Sequence, residues 1–229
     1  MKPALRTKTT LLMIRRGETR EILRELAARI HSDDASYVLR RDLSRPLTPR
    51  PAAKIPINVR PLEQHDLPQI VAERPRRLPV LQASIPTCYV ATAEDGAVCY
   101  MQWLVTADQQ RRLRPHFKGE LAGYNNDTVL LEFAYTFERF RGRGIMASAM
   151  AEIAERGLPL GARWALTYVK TDNIASLKGC ANAGFRPYMI RTETWRGFRL
   201  HQTFQTLEPG TRYPFEEAAI LTHQRSAAN

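Results

Sequence analysis

The chain has 229 residues, of which 44% are hydrophobic and 25% are charged, and its formal net charge is +11 at pH 7. This composition is typical of a globular protein and excludes an intrinsically disordered chain. No apolar run approaches the roughly 20 residues that a membrane span needs. We therefore expect a cytoplasmic protein. Its three cysteines, Cys88, Cys99 and Cys180, lack the spacing of a metal site or of a disulfide framework.

The positive charge is concentrated at the start of the chain. Residues 1–60 hold 14 Lys and Arg against 6 Asp and Glu, whereas the other 169 residues hold 20 against 17. Residues 1–43 are predicted to form a basic extension made of a strand over 9–17, a helix over 17–32 and a second strand over 35–43. Such an arm attracts nucleic acid, an anionic membrane surface or an acidic protein. The extension is therefore expected either to bind an acidic partner of one of these kinds or to be merely a solvated, Arg-rich surface.

Proline marks the next boundary. Residues 44–56 contain four prolines and little apolar surface, which predicts an extended linker. A domain is expected over residues 57–207, followed by a C-terminal tail over residues 208–229.

The domain alternates strand-like and helix-like segments. Its strands are predicted at 57–62, 87–93, 97–105, 127–137, 163–169, 186–195 and 198–207, and its helices at 63–73, 145–157 and 173–183. The turn "EDG" at 94–96 joins the second and third strands as a hairpin. The resulting order, β-α-β-β-β-α-β-α-β-β, predicts an α/β fold with a mixed sheet.

The segment "RFRGRG", residues 139–144, lies between the fourth strand of the domain and the following helix. A helix start presents unpaired backbone N–H groups and the positive end of the helix dipole. Gly142 and Gly144 would let the backbone close around a phosphate. The segment lacks the Gly-Lys-Ser/Thr ending of a Walker loop and the third glycine of a dinucleotide fingerprint. It therefore predicts an anion cradle of another kind.

Residues 139–144 resemble the Arg/Gln-x-x-Gly-x-Gly/Ala loop of the GNAT superfamily, the acyl-CoA-dependent N-acetyltransferases. The segment "NIASLKGCANAGF", residues 173–185, is similar to the Asn-led helix of that superfamily, which ends in Gly-Phe. The segment "INVRPLEQHDLPQI", residues 57–70, resembles its opening strand and helix. The resemblance covers about residues 57–207 and implies a GNAT-like fold, a central mixed β-sheet with a splayed fourth strand flanked by helices.

The resemblance also implies that acetyl-CoA is the acyl donor. Its pyrophosphate would lie on backbone N–H groups of residues 141–145, and its pantetheine arm would pair with the fourth strand. The implied cofactor-binding residues are Ala134, Thr136, Arg139, Arg141, Gly142, Arg143, Gly144, Ile145 and Asn173. Asn173 has two possible roles: an Asn at a helix start either binds the pantetheine arm or caps the helix.

Two residues are candidates for acid and base catalysis. Many GNAT proteins have Tyr, the acid that protonates the CoA thiolate, at the position of Cys180. The thiol of Cys180 either takes that role or is a small packing residue. Glu132 lies among apolar residues of the long strand, where a carboxylate with a raised pKa would suit the removal of a proton from an amine. Alternatively, Glu132 faces solvent or an Arg.

The implied reaction is the direct attack of a primary amine, on a small molecule or a protein, on acetyl-CoA in a ternary complex. Acceptor specificity is expected in the Arg-rich segments 73–83 and 106–126, with His116 and Phe117 as anchors. Two alternatives remain. One is a long-chain acyltransferase that uses acyl-CoA or acyl carrier protein, and the other is a module that binds acyl-CoA or nucleic acid with little transfer.

Overall fold

The computed structural model describes residues 27–74, 87–109 and 125–216. Its strands are β1 (His31–Asp42), β2 (Asn58–Pro61), β3 (Cys88–Thr92), β4 (Val98–Val105), β5 (Thr128–Thr136), β6 (Trp164–Lys170), β7 (Arg186–Arg196) and β8 (Arg199–Thr206). Its principal helices are α1 (Leu67–Glu73), α2 (Ile145–Glu155) and α3 (Ile174–Asn182). The strands form one eight-stranded mixed sheet in the order β2-β3-β4-β5-β6-β1-β7-β8.

From β2 onward, the elements follow the order predicted from the sequence, and the mixed α/β fold class is confirmed. The hairpin of β3 and β4 turns at "EDG", where Gly96 adopts a φ of 77°. A left-handed φ of this kind is one that glycine adopts without steric cost. The final antiparallel pair, β7 and β8, turns at residues 197–198.

Strand β1 lies inside the sheet, antiparallel to both β6 and β7. Its residues Val38 and Leu39 are completely buried. The second strand predicted for the basic extension therefore belongs to the sheet of the domain, and residues 44–56 connect two strands of that sheet. The first strand predicted for the extension and most of its helix lie outside the described residues. The helix was expected to run to residue 32, but β1 begins at His31 because its backbone there pairs with β7.

Residues 44–56 run along α2 instead of crossing open solvent. Just before this segment, the buried Arg41 donates to the carbonyl of Ala151 at 3.1 Å and to the carboxylate of Glu155 at 2.7 Å. Near its end, the backbone N–H of Lys54 donates to the carbonyl of Arg143 at 2.8 Å. The segment thus supports the loop that precedes α2.

Strands β5 and β6 pair over only part of their lengths. The parallel pairing joins Thr128 to Trp164 and ends where Leu130 meets Leu166. Both strands continue for several residues beyond this point. They therefore separate, and the predicted splay of the domain's fourth strand is present.

Within the described ranges, no helix combines the length and the hydropathy needed to span a bilayer. The same ranges hold no group of His, Cys, Asp and Glu side chains placed to ligate a metal ion. The three cysteines are free thiols, and all three are buried.

Candidate active site

A cleft of 630 Å³ opens beside the splayed end of β5 and the first turns of α2 and α3. Residues from 134–136, from 140–147 and from α3 line it. The predicted cofactor-binding residues that line the cleft are Ala134, Thr136, Arg141, Gly142, Arg143, Gly144, Ile145 and Asn173. Segments that are far apart in sequence thus meet at one concave surface, which is large enough for a small-molecule ligand.

The loop before α2 has the backbone geometry of an anion cradle. Gly142 and Gly144 have φ values of 75° and 72°, in the left-handed region. A Cβ atom on Gly144 would lie 3.1 Å from the carbonyl oxygen of Ala52, so a larger residue would disturb the supporting segment. Gly144 is the N-cap of α2 and provides no side-chain cap. The N–H groups of the first helical turn are therefore available to a negatively charged ligand.

The three arginines of the loop differ in position. The guanidinium of Arg139 lies over the ring of Phe140 at 4.5 Å, and Arg139 does not line the cleft. Its role in cofactor binding stays a prediction. Arg141 lines the cleft and donates to the hydroxyl of Tyr135 at 3.2 Å. Arg143 also lines the cleft and is exposed.

Asn173 caps its helix and also lies at the cleft. It is the N-cap of α3, and its Oδ1 accepts a hydrogen bond from the backbone N–H of Ser176 at 3.2 Å. It also lines the cleft. Since the cap uses only the side-chain oxygen, the amide nitrogen remains available as a donor toward a ligand.

Strand β5 carries a β-bulge where it enters the cleft. The register shifts between Met101 and Trp103 of β4, so that residues 133–134 of β5 lie opposite a single residue. Phe133 has a φ of 57°, which costs about 1–3 kcal/mol for a residue other than glycine. Its ring packs edge-on against Trp103, with 5.6 Å between the centroids. Bulges interrupt ladder hydrogen bonding, and the interruption lies beside Ala134, which lines the cleft.

Neither of the two candidate catalytic residues lines the cleft, and their surroundings differ. Glu132 precedes the bulge and is partly buried. Cys180 is completely buried and does not line the cleft, and its sulfur lies 3.8 Å from the sulfur of Met150. Burial, with a smaller contribution from the charge of Glu132, raises the pKa of the Cys180 thiol to about 12. These surroundings favour the packing alternative for Cys180 over the acid.

Comparison with known proteins identifies the fold. Neither a protein family model nor a curated protein sequence matches the chain. Two matching solved structures are a GNAT-family acetyltransferase from Colwellia psychrerythraea, with 12% identity and a TM-score of 0.51, and a GCN5-related N-acetyltransferase from Sphaerobacter thermophilus, with 17% identity and a TM-score of 0.50. The chain has the GNAT fold.

The first match covers 79% of this chain and 59% of the matched chain, and the second covers 77% and 57%. The chain thus spans less than three fifths of the length of either structure. The GNAT-like fold expected from residues 139–144 and 173–185 is confirmed.

The cleft is also lined by residues that were not predicted from the sequence. Tyr135, Ser176, Gly179 and Asn182 line it. A Cβ atom on Gly179 would lie 2.7 Å from the sulfur of Met146, so glycine lets α3 approach α2 closely. A glycine inside a predicted helix was the available signal for this approach, whereas nothing local marked Asn182.

Most of the predicted acceptor region lies outside the described residues. This applies to His116, to Phe117 and to the larger part of both Arg-rich segments. At the described edge of that region, the carboxylate of Glu73 accepts from the hydroxyl of Tyr135 at 2.8 Å. The end of α1 is thereby hydrogen-bonded to a residue that lines the cleft.

Proposed function

We propose that the protein is an N-acetyltransferase that transfers the acetyl group of acetyl-CoA to a primary amine. The observation that carries this proposal is the joining of two features in one cleft. The uncapped start of α2, opened by two left-handed glycines, meets the bulged and splayed end of β5. The first feature suits a pyrophosphate, and the second suits an extended arm that adds to a strand.

Different residues of the cleft would bind different parts of acetyl-CoA. The N–H groups that follow Gly142 would hold the pyrophosphate, and the side chains of Arg141 and Arg143 would balance its charge. The backbone near Ala134 and Thr136 would pair with the pantetheine arm. The free amide nitrogen of Asn173 would donate to a carbonyl of that arm.

In this proposal, catalysis comes mainly from the positioning of the thioester and the amine. A backbone N–H released by the bulge would polarise the thioester carbonyl, and Glu132 would accept the amine proton through a water molecule. The amine nitrogen forms a bond to the carbonyl carbon, the carbon–sulfur bond breaks, and the products are an amide and CoA. An alkyl thiol has a pKa of about 8.5, so the departing thiolate can take its proton from water without Cys180.

Mass spectrometry of candidate amines incubated with the protein and acetyl-CoA tests the proposal directly. In the expected product, an acetyl group replaces one hydrogen of the amine, and the mass rises by the difference between the two. Failure to modify any amine in a panel of small amines, polyamines and peptides, together with failure to bind acetyl-CoA, would count against it. Binding without transfer would favour the alternative of a binding module.

Glu132→Gln is expected to lower kcat by about a hundredfold or more, since about a hundredfold is the lower end of the range for loss of a general base. The amide keeps the shape of the side chain but cannot accept the proton. The measurement is kcat at saturating acetyl-CoA and amine, compared between the variant and the wild type. Glu94→Gln is the control, because Glu94 is exposed in the turn between β3 and β4 and does not line the cleft. Equal activity of Glu132→Gln and the wild type would contradict the assigned base.

Cys180→Ala is expected to lower turnover less than tenfold and to destabilise the fold by about 1 kcal/mol through a small cavity. Cys99→Ala is the matched control, because Cys99 is also completely buried and its thiol donates to the carbonyl of Ala91 at 3.1 Å. Thermal melting and kcat should change similarly in the two variants. A hundredfold loss of turnover in Cys180→Ala alone, with folding intact, would restore the acid role.

A further inference from the structure

A second cavity, of 710 Å³, lies at the other end of the sheet. It shares no lining residue with the GNAT cleft. Trp164 lines it at the start of β6, where this strand pairs with Thr128 of β5. The cleft begins six residues further along β5, at Ala134, which is about 20 Å at the rise of a β-strand. The second cavity is therefore a separate feature of the molecule.

Arg40 is the central polar residue of this cavity. Its guanidinium carbon lies 4.1 Å from the ring centroid of Trp164 and 3.9 Å from that of Tyr188. The two rings hold the guanidinium plane between them through cation–π contacts. Within the described part of the chain, no oxygen accepts a hydrogen bond from Arg40. The N–H groups of the Arg40 guanidinium are therefore fixed in orientation and available to a ligand.

Two further cations stand at the rim. The side chain of Arg45 is 84% exposed, and its Nε lies 3.6 Å from the carboxylate of Asp42. Arg186 is exposed and makes a 3.4 Å hydrogen bond to the carbonyl of Phe185. Both side chains are free to turn toward a negatively charged group in the cavity.

The other charged groups of the cavity leave a cationic surplus. The buried Arg41 is engaged by Glu155. The carboxylate of Asp42 accepts from the hydroxyl of Ser44 at 2.6 Å and also lies near Arg163. Glu208 is the remaining carboxylate in the lining, and it is exposed. Three cations thus face two carboxylates, one of which already has hydrogen-bond donors of its own.

Apolar side chains complete the walls. Leu47, Pro187 and Leu207 line the cavity together with the ring of Tyr188. A planar guanidinium fork matches the geometry of a carboxylate or a phosphate. The volume lies in the range of about 300–1,000 Å³ that is usual for small-molecule sites. We propose that this second cavity binds a small organic anion, whose oxyanion is held by the edge of Arg40 and whose apolar body packs against Leu47 and Leu207.

Isothermal titration calorimetry of the full chain tests this site with benzoate, phenyl phosphate and inorganic phosphate. At least one of the organic anions is expected to bind with a Kd below about 1 mM. Whichever of the two binds more tightly identifies the preferred oxyanion. Inorganic phosphate should bind at least about tenfold more weakly than phenyl phosphate because it has no apolar body. No heat from either organic anion at about 10 mM would overturn the proposal.

Matched variants locate the site. Arg40→Gln is expected to weaken binding of the organic anion at least about tenfold, through loss of a charge-assisted bidentate contact. Arg163→Gln is the control, since the guanidinium carbon of Arg163 also lies over the Trp164 ring, at 4.9 Å, but Arg163 does not line the cavity. Arg186→Gln alters an exposed residue and should weaken binding several-fold without risk to folding. Equal losses in the Arg40 and Arg163 variants would indicate diffuse charge and overturn the proposal.

Discussion

Deletion of residues 1–43 is expected to abolish cooperative folding of the protein. The deletion removes β1, an interior strand that hydrogen-bonds to β6 on one side and to β7 on the other. It also removes the buried side chains of Val38, Leu39 and Leu43. At about 1.5–3 kcal/mol for each of these side chains, their burial alone contributes roughly 5–9 kcal/mol. That is comparable to the entire stability of about 5–15 kcal/mol of a typical domain.

Circular dichroism during thermal melting checks this expectation. The full chain should show a sigmoidal transition that the deleted protein lacks. A single substitution, Leu39→Asp, places a charge in the same interior strand and should also remove or greatly lower the transition. His201→Asp is the control, because His201 is exposed on the edge strand β8. A deleted protein that melts cooperatively near the temperature of the full chain would show that β1 is dispensable.

The position of β1 shows where local sequence patterns stop being informative. The strand character of residues 35–43 was predictable from the sequence. Its partners were not, because β1 pairs with residues of β6 and β7 that are more than a hundred positions away. The prolines of residues 44–56 also favoured a linker. Nothing local indicates that this segment lies along α2 and contacts the loop at Arg143.

The two glycines of the loop before α2 were the most predictable part of the cleft lining. Gly142 and Gly144 were predictable because a backbone that closes around a phosphate at a helix start needs residues without a Cβ atom. The bulge at Phe133 has no such signal, since a non-glycine residue holds the positive φ. The burial of Cys180 and the stacking of Arg139 on Phe140 depend on rotamers and tertiary contacts. Residue spacing along the chain does not specify these.

Gly142→Glu is expected to abolish the rise in melting temperature that acetyl-CoA produces in the wild type. At about 100 times its Kd, a ligand stabilises the folded state by about 2.7 kcal/mol, or roughly 5–10 °C for a chain of this size. A Cβ atom on Gly142 would meet nothing within 4 Å, so the variant can fold. Its carboxylate would then stand at the loop that is proposed to hold the pyrophosphate, and would repel it.

Two controls separate this electrostatic effect from backbone strain. Gly161 also has a left-handed φ, 81°, with open space around its Cβ position, but it does not line the cleft. Gly161→Glu therefore introduces the same residue at a similar cost of about 1–2 kcal/mol and should keep the full shift. Gly142→Ala introduces the strain without the charge and should keep most of it. If Gly142→Glu and Gly161→Glu respond equally to acetyl-CoA, the loop before α2 is not where the pyrophosphate binds.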